Sequence, residues 1–152
     1  MSDKPEPRKR REGHRTQWAA QFAVASELCK RGYEVALTMG NHPRKDIMVS
    51  SPSGTDFSID VKGLYKRNFW AVKKKSPIDH LFYVFAFVPD DKPNRYFILT
   101  QAEVNEGIDR VTAVAMEGAK RRGEEGNWTE SFPGVAWPYA AEFESQWDKL
   151  PA

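Results

Sequence analysis

Hydrophobic and polar positions alternate most cleanly between Asp56 and Lys62. Phe57, Ile59 and Val61 point one way, and Asp56, Ser58, Asp60 and Lys62 point the other, as in a strand with one face in a core. The turn-forming run Ser51-Pro52-Ser53-Gly54 just ahead of it predicts a hairpin, with Asp46 to Ser50 as the partner strand. Tyr33 to Met39 reads as a strand before that one. His80 to Val88 is almost continuously apolar, which predicts a strand buried on both faces, with Arg95 to Leu99 pairing across a polar loop. Asn68 to Val72 reads as a short strand, and Ser76-Pro77 opens at most one helical turn.

Period 3.6 replaces period 2 in three places. From Thr16, a plausible N-cap, to Arg31, residues Trp18, Phe22, Ala25, Leu28 and Cys29 make an apolar stripe, and Gly32 stops the helix. Cys29, on that stripe, reads as buried and inert. Gln21 falls inside the stripe, whereas Glu27 falls on the opposite face. Thr100-Gln101-Ala102-Glu103 is a capping box that starts a second helix, interrupted by Gly107 and Gly118. Phe143, Trp147 and Leu150 are spaced as a closing amphipathic helix. The order of elements predicts an α/β fold with a mixed sheet flanked by helices.

Composition narrows the class. With 152 residues, 40% hydrophobic and 29% charged, the chain suits one globular domain, read here as residues 13–152 behind a disordered basic arm, residues 1–12. A single cysteine excludes a disulfide framework. The apolar run Leu81 to Val88 is too short to span a bilayer, and the start carries no apolar signal segment. A cytoplasmic protein with no membrane partner is therefore expected. The net charge of +2 conceals an asymmetry: residues 1–75 hold sixteen Lys and Arg against eight Asp and Glu, and residues 76–152 hold seven against thirteen. An electropositive first half suits a polyanionic partner.

The candidate chemistry lies in Asp46, Asp60 and Lys62. Asp60 and Lys62 share one strand face, about 6–7 Å apart, and Asp46 opens the adjacent strand. Neighbouring carboxylates repel unless a cation joins them, and Mg²⁺ takes oxygen ligands of this kind. Lys62 beside them can orient water and stabilise charge on a phosphate. An acid-x-Lys triplet alone is common; its placement on a strand, after a hairpin and 14 residues beyond another acid, is what singles it out.

The stretch Phe22 to Lys62 resembles the PD-(D/E)XK nuclease superfamily, which has the restriction-endonuclease-like fold. The likeness runs more loosely through Tyr83-Val84-Phe85 and Tyr96 to Thr100. It is most similar to the small resolvase-like and uncharacterised bacterial members, in which a helix ending in an Arg-Gly-Tyr type turn precedes a lone Asp and then an acid or Gln before x-Val-Lys. The resemblance implies a central mixed sheet with helices on both sides. It implies Mg²⁺, with Mn²⁺ as substitute, held by Asp46, Asp60 and the carbonyl of Val61, with Lys62 catalytic. It also implies a homodimer.

Two departures stand out. Gln21 occupies the position where the family's first helix usually has Glu; it reads either as an auxiliary group facing the site or as a bridging core amide. The link after Lys62 reads as at most one helical turn, where family members usually have a longer crossover helix. Arg44, Lys45, Lys66, Arg67, Lys73, Lys74 and Lys75 flank the site in sequence and suit phosphate contacts. Phe69 and Trp70 lie among them; such aromatics can stack on bases, though core packing is the commoner role of Trp. The expectation is an Mg²⁺-dependent DNA endonuclease, with a non-catalytic nucleic-acid-binding module on the same fold as the alternative.

Overall fold

The computed structural model describes residues 13–38, 45–124 and 133–152. The predicted basic arm at residues 1–12, the strand end at Met39 and the phosphate contact at Arg44 lie outside them. α1 (Gly13–Lys30) leads into β1 (Glu34–Leu37), β2 (Ile47–Ser50) and β3 (Asp56–Leu64). Then follow β4 (Trp70–Ala71), β5 (Leu81–Phe87), β6 (Arg95–Thr100), α2 (Gln101–Arg121), β7 (Gly134–Val135) and α3 (Trp137–Ala140). Five strands form one mixed sheet in the order β1-β2-β3-β5-β6, and β4 pairs with β7 in a separate ribbon. All neighbours in the large sheet are antiparallel except β3 and β5, where Asp60 lies opposite Tyr83 and Lys62 opposite Phe85.

The alternation read from the sequence places a separate core on each face of the sheet. Phe57, Ile59 and Val61 of β3 pack with Val84 and Ala86 of β5 beneath Ala20, Val24, Ala25 and Leu28 of α1. Tyr83, Phe85 and Phe87 point the other way, towards Val104 and Ile108 of α2 and the aromatic tail. Gly32 ends α1 at φ +91°, with Tyr33 N–H donating to the Leu28 carbonyl and Gly32 N–H to that of Cys29, a Schellman closure. The Thr100–Glu103 capping box is complete, and α2 runs unbroken through both glycines. Among the described residues no helix is long and apolar enough to cross a membrane.

Four expectations change. α1 begins by Gly13, so Thr16 is a buried residue inside the helix and not its cap. The face α1 presents to the sheet is Thr16, Ala20, Gln21, Val24, Ala25 and Leu28. Phe22 is exposed, stacked on Trp18, and Cys29 is exposed too, not buried. Close packing on β3 selects the small residues of that helix in place of the aromatic ones. Ser76-Pro77 forms no helical turn. The tail does not close as an amphipathic helix: Ser145 takes φ +56° and donates its N–H to the Tyr96 carbonyl. Glu144 bridges to Phe97 and Arg95, which leaves only short 3₁₀ turns at Ala141–Phe143 and Trp147–Lys149.

Candidate active site

The site forms where β2 stops pairing with β3. Asp46 N–H donates to the Ile59 carbonyl at 3.0 Å, and the Asp46 side chain then replaces the backbone: its Oδ2 accepts from Val61 N–H at 2.7 Å. The carbonyl of Asp46 is held by Thr38 N–H at 3.1 Å. The other carboxylate oxygen, Oδ1, accepts from the Gln21 amide at 3.2 Å. One turn earlier on α1, Gln17 donates from Nε2 to the Val61 carbonyl at 2.7 Å. Two amides four residues apart on a helix thus reach one β-strand residue, Gln17 at its carbonyl and Gln21 through the acid that accepts from its N–H.

Gly63 makes this reach feasible. A β-carbon there would lie 2.7 Å from Ala20 Cβ and 3.1 Å from the Thr16 carbonyl oxygen, so α1 can lie this close only over a residue without a side chain. Gln17 is the residue that sequence reasoning missed. Its signal was present, an amide at i−4 from Gln21, but the apolar stripe drew attention to Trp18.

Asp60 and Lys62 project from the opposite face of β3, as their phase requires. Asp60 is 5% exposed, with Lys62 Nζ 3.1 Å from its Oδ1. That contact is an ion pair without hydrogen-bond alignment, so Asp60 Oδ1 is buried with no hydrogen bond. Gln21 Oε1 and Thr16 Oγ1 on α1 are also buried oxygens without a hydrogen bond. Burial pushes the Asp46 carboxyl above its ordinary value; the Val61 N–H opposes this, the Asp60 charge adds to it and Lys62 opposes it. Asp46 therefore senses both Asp60 and Lys62, although its own hydrogen bonds run to α1 and the backbone. Tyr83, opposite Asp60, is pushed up to about 12 by burial and then by the Asp60 charge, against a bond to Gln101.

The oxygens that could hold a hard divalent cation are those of Asp46, Asp60, Gln21 and the Val61 carbonyl. Among the described residues no three His, Cys, Asp or Glu lie together, so two carboxylates and neutral oxygens would have to suffice. Buried oxygens without hydrogen bonds are rare and call for an explanation. The oxygen-only donor set fits Mg²⁺ or Mn²⁺ better than a softer metal.

The basic residues divide into two groups. Lys45 is exposed beside Asp46. The others lie on the connection from β3 to β5, which crosses the sheet on the face bearing Asp60. Lys66 lies over the Tyr65 ring at 5.5 Å, Arg67 over the Trp137 ring at 4.7 Å, and Lys74 pairs with Asp109 at 2.6 Å. Lys73 is exposed and Lys75 half-buried. Trp70, between Phe85 and Trp137, is core and cannot stack on a base, whereas Phe69 is at the surface. A groove of about 450 Å³ starts two residues before Asp60 on the same face and includes Glu34, Met48, Asp56, Ser58 and Asp79 in its lining. Comparison with protein-family models, with curated proteins and with solved structures finds no match to this chain.

Proposed function

We propose that the chain is an Mg²⁺-dependent DNA endonuclease with a restriction-endonuclease-like fold, cytoplasmic and acting as a homodimer to cut both strands. The observation that carries this reading is the pair of carboxylates at β3, Asp46 held by Gln21 and by Val61 N–H, and Asp60 paired with Lys62, with Gln21 Oε1 and Asp60 Oδ1 buried and lacking hydrogen bonds. Asp46 and Asp60 would hold the ion with the Val61 carbonyl, and Gln21 Oε1 adds a neutral donor. When bound, Mg²⁺ lowers the pKa of a water and offsets phosphate charge.

The remaining work falls to side chains. Lys62, tied to Asp60, orients the attacking water and stabilises the extra negative charge as the new P–O bond forms and the strand's own P–O bond breaks. Gln21 fixes Asp46, and Gln17 fixes the peptide that bears Val61. The basic connection tracks the phosphate backbone without reading bases. The test is divalent-dependent nicking of plasmid DNA, with Asp60→Ala and Lys62→Ala as controls. Equal background from all three proteins would end the enzyme reading.

One observation favours a second reading, a non-catalytic nucleic-acid-binding module. Both oxygens of Asp46 and the Val61 carbonyl are already hydrogen-bonded by the chain itself, and a Gln binds metal more weakly than a Glu. That module binds DNA with steep salt dependence and no metal requirement. Calorimetry showing Mn²⁺ binding that disappears in Asp46→Ala decides against it.

A further inference from the structure

The segment from Lys73 to His80 carries neither helix nor strand, yet it is held at defined points. Asn105 of α2 grips the backbone of Lys75 at both ends. Its Nδ2 donates to the Lys75 carbonyl at 2.8 Å, and its Oδ1 accepts from Lys75 N–H at 3.3 Å. One turn further along α2, Asp109 pairs with Lys74 at 2.6 Å. One turn earlier, Gln101 donates to Asn105 Oδ1 at 2.9 Å and accepts from the Tyr83 hydroxyl at 2.8 Å. Tyr83 is the residue opposite Asp60 in the β3–β5 register.

Gln101, Asn105 and Asp109 thus form a polar stripe at four-residue spacing down one flank of α2. It links the neighbour of Asp60 to the three-lysine run in three hydrogen bonds. Tyr83 and Gln101 are buried in this link. Unpaired, the Gln101 amide would carry a desolvation cost, so the network is set as a unit.

We propose that Asn105 is a positioning residue that sets the Lys73–Lys75 run as a clamp for the nucleic-acid phosphate backbone beside Asp60 and Lys62; this rests on the reading of that pair as a phosphodiester site. Without the grip on Lys75, the backbone of the run is no longer fixed to α2 and only side-chain contacts such as Lys74–Asp109 hold it, so it must be ordered on binding, at a cost in affinity. The groove that begins at Ser58 bears Glu34, Asp56 and Asp79 against Lys45, so a polyanion is steered to the lysine side. The strand enters over the connection, not along the outer face of β1 to β3.

The experiment measures anisotropy of a fluorescein-labelled DNA duplex in EDTA, where nothing is cut, across a salt series. It compares wild type, Asn105→Ala, Asn105→Gln and the double change Lys73→Ala with Lys75→Ala. Asn105→Ala should weaken binding about tenfold at low salt and reduce the log–log salt slope by about one to two, at roughly 0.9 per lost phosphate contact. Asn105→Gln, which keeps the amide, should recover part of both. Trypsin should cut Asn105→Ala after Lys73–Lys75 several-fold faster, at an unchanged far-ultraviolet circular dichroism spectrum. Wild-type affinity and slope in Asn105→Ala, with loss in the lysine double change, would overturn the positioning role and leave the nuclease reading standing. No salt-dependent binding by wild type would overturn both.

Discussion

The two faces of the central sheet are built from alternate residues of the same strands, and they carry different kinds of content. Beneath α1, β3 contributes Phe57, Ile59 and Val61, all buried and apolar. On the α2 face the same strand contributes Ser58 and Asp60, buried and polar, and the half-exposed Lys62. α2 covers β5 and β6 with Val104 and Ile108 but leaves β1 to β3 open to a groove. Along β3, one face is wholly apolar, and the other places a charged pair in a partly dehydrated setting. Such division of labour is expected where function and folding compete for the same residues.

Substitutions should separate the faces. Ile59→Ala on the α1 face should cost about 2–5 kcal/mol in chemical denaturation. Asp60→Asn on the other face should cost less than Ile59→Ala, because loss of the ion pair with the partly exposed Lys62 is offset by relief of a buried charge. In the proposed nuclease the same change should cut divalent-dependent nicking by about 10²–10³-fold, the usual loss for one transition-state contact. A fall in stability as large as that of Ile59→Ala would show that both faces are structural.

Gly63→Ala tests the junction between them. The added β-carbon meets Ala20 and the Thr16 carbonyl, so about 1–3 kcal/mol should be lost, with Gln17 drawn off Val61. Thr100→Ala removes the cap that starts α2 and should cost about 1 kcal/mol.

A further effect is alkaline. The raised Tyr83 pKa means that, above pH 10, the unfolded state ionises this phenol while the folded state holds it neutral. Its contribution to stability is full below pH 10 and is lost as pH rises towards 12. Tyr83→Phe should flatten that part of the profile in pH-dependent melts, and a wild-type slope in the variant would refute the assignment.

Strand content was legible because period 2 and turn residues coincide: the Ser51–Gly54 hairpin, the alternation of β3 and the apolar run of β5 all sit where the pattern puts them. The Thr100–Glu103 box marked the start of α2 because its mechanism is local. The orientation of α1 was less legible. Trp18 and Phe22 look like core, but a helix lying over Gly63 has room only for Ala20 and for amides that find partners. Hydropathy does not record that a Gln can be the right residue for a close interface. The tail misled for a similar reason: Phe143, Trp147 and Leu150 keep helical spacing, while Ser145 breaks the backbone to bond Tyr96 across the chain. Of the candidate site, the shared face of Asp60 and Lys62 and the inward turn of Gln21 were legible from strand and helix phase, whereas the part played by Gln17 depends on a backbone carbonyl that no side-chain pattern reveals.

The parallel pairing of β3 with β5 has a further consequence, for the timing of assembly. Every other junction in the large sheet is antiparallel and joins strands that follow one another in the chain, so each can form from contacts closer in sequence. The β3–β5 junction must wait for the chain between residues 64 and 81 to loop back with no helix to guide it, and loop-closure entropy opposes that step. Asp60 acquires its neighbour Tyr83 only when this junction closes. Asp46 meets Val61 through the local β2–β3 pairing, whereas Asp60 is covered only when β5, which supplies residues to both cores, docks on β3.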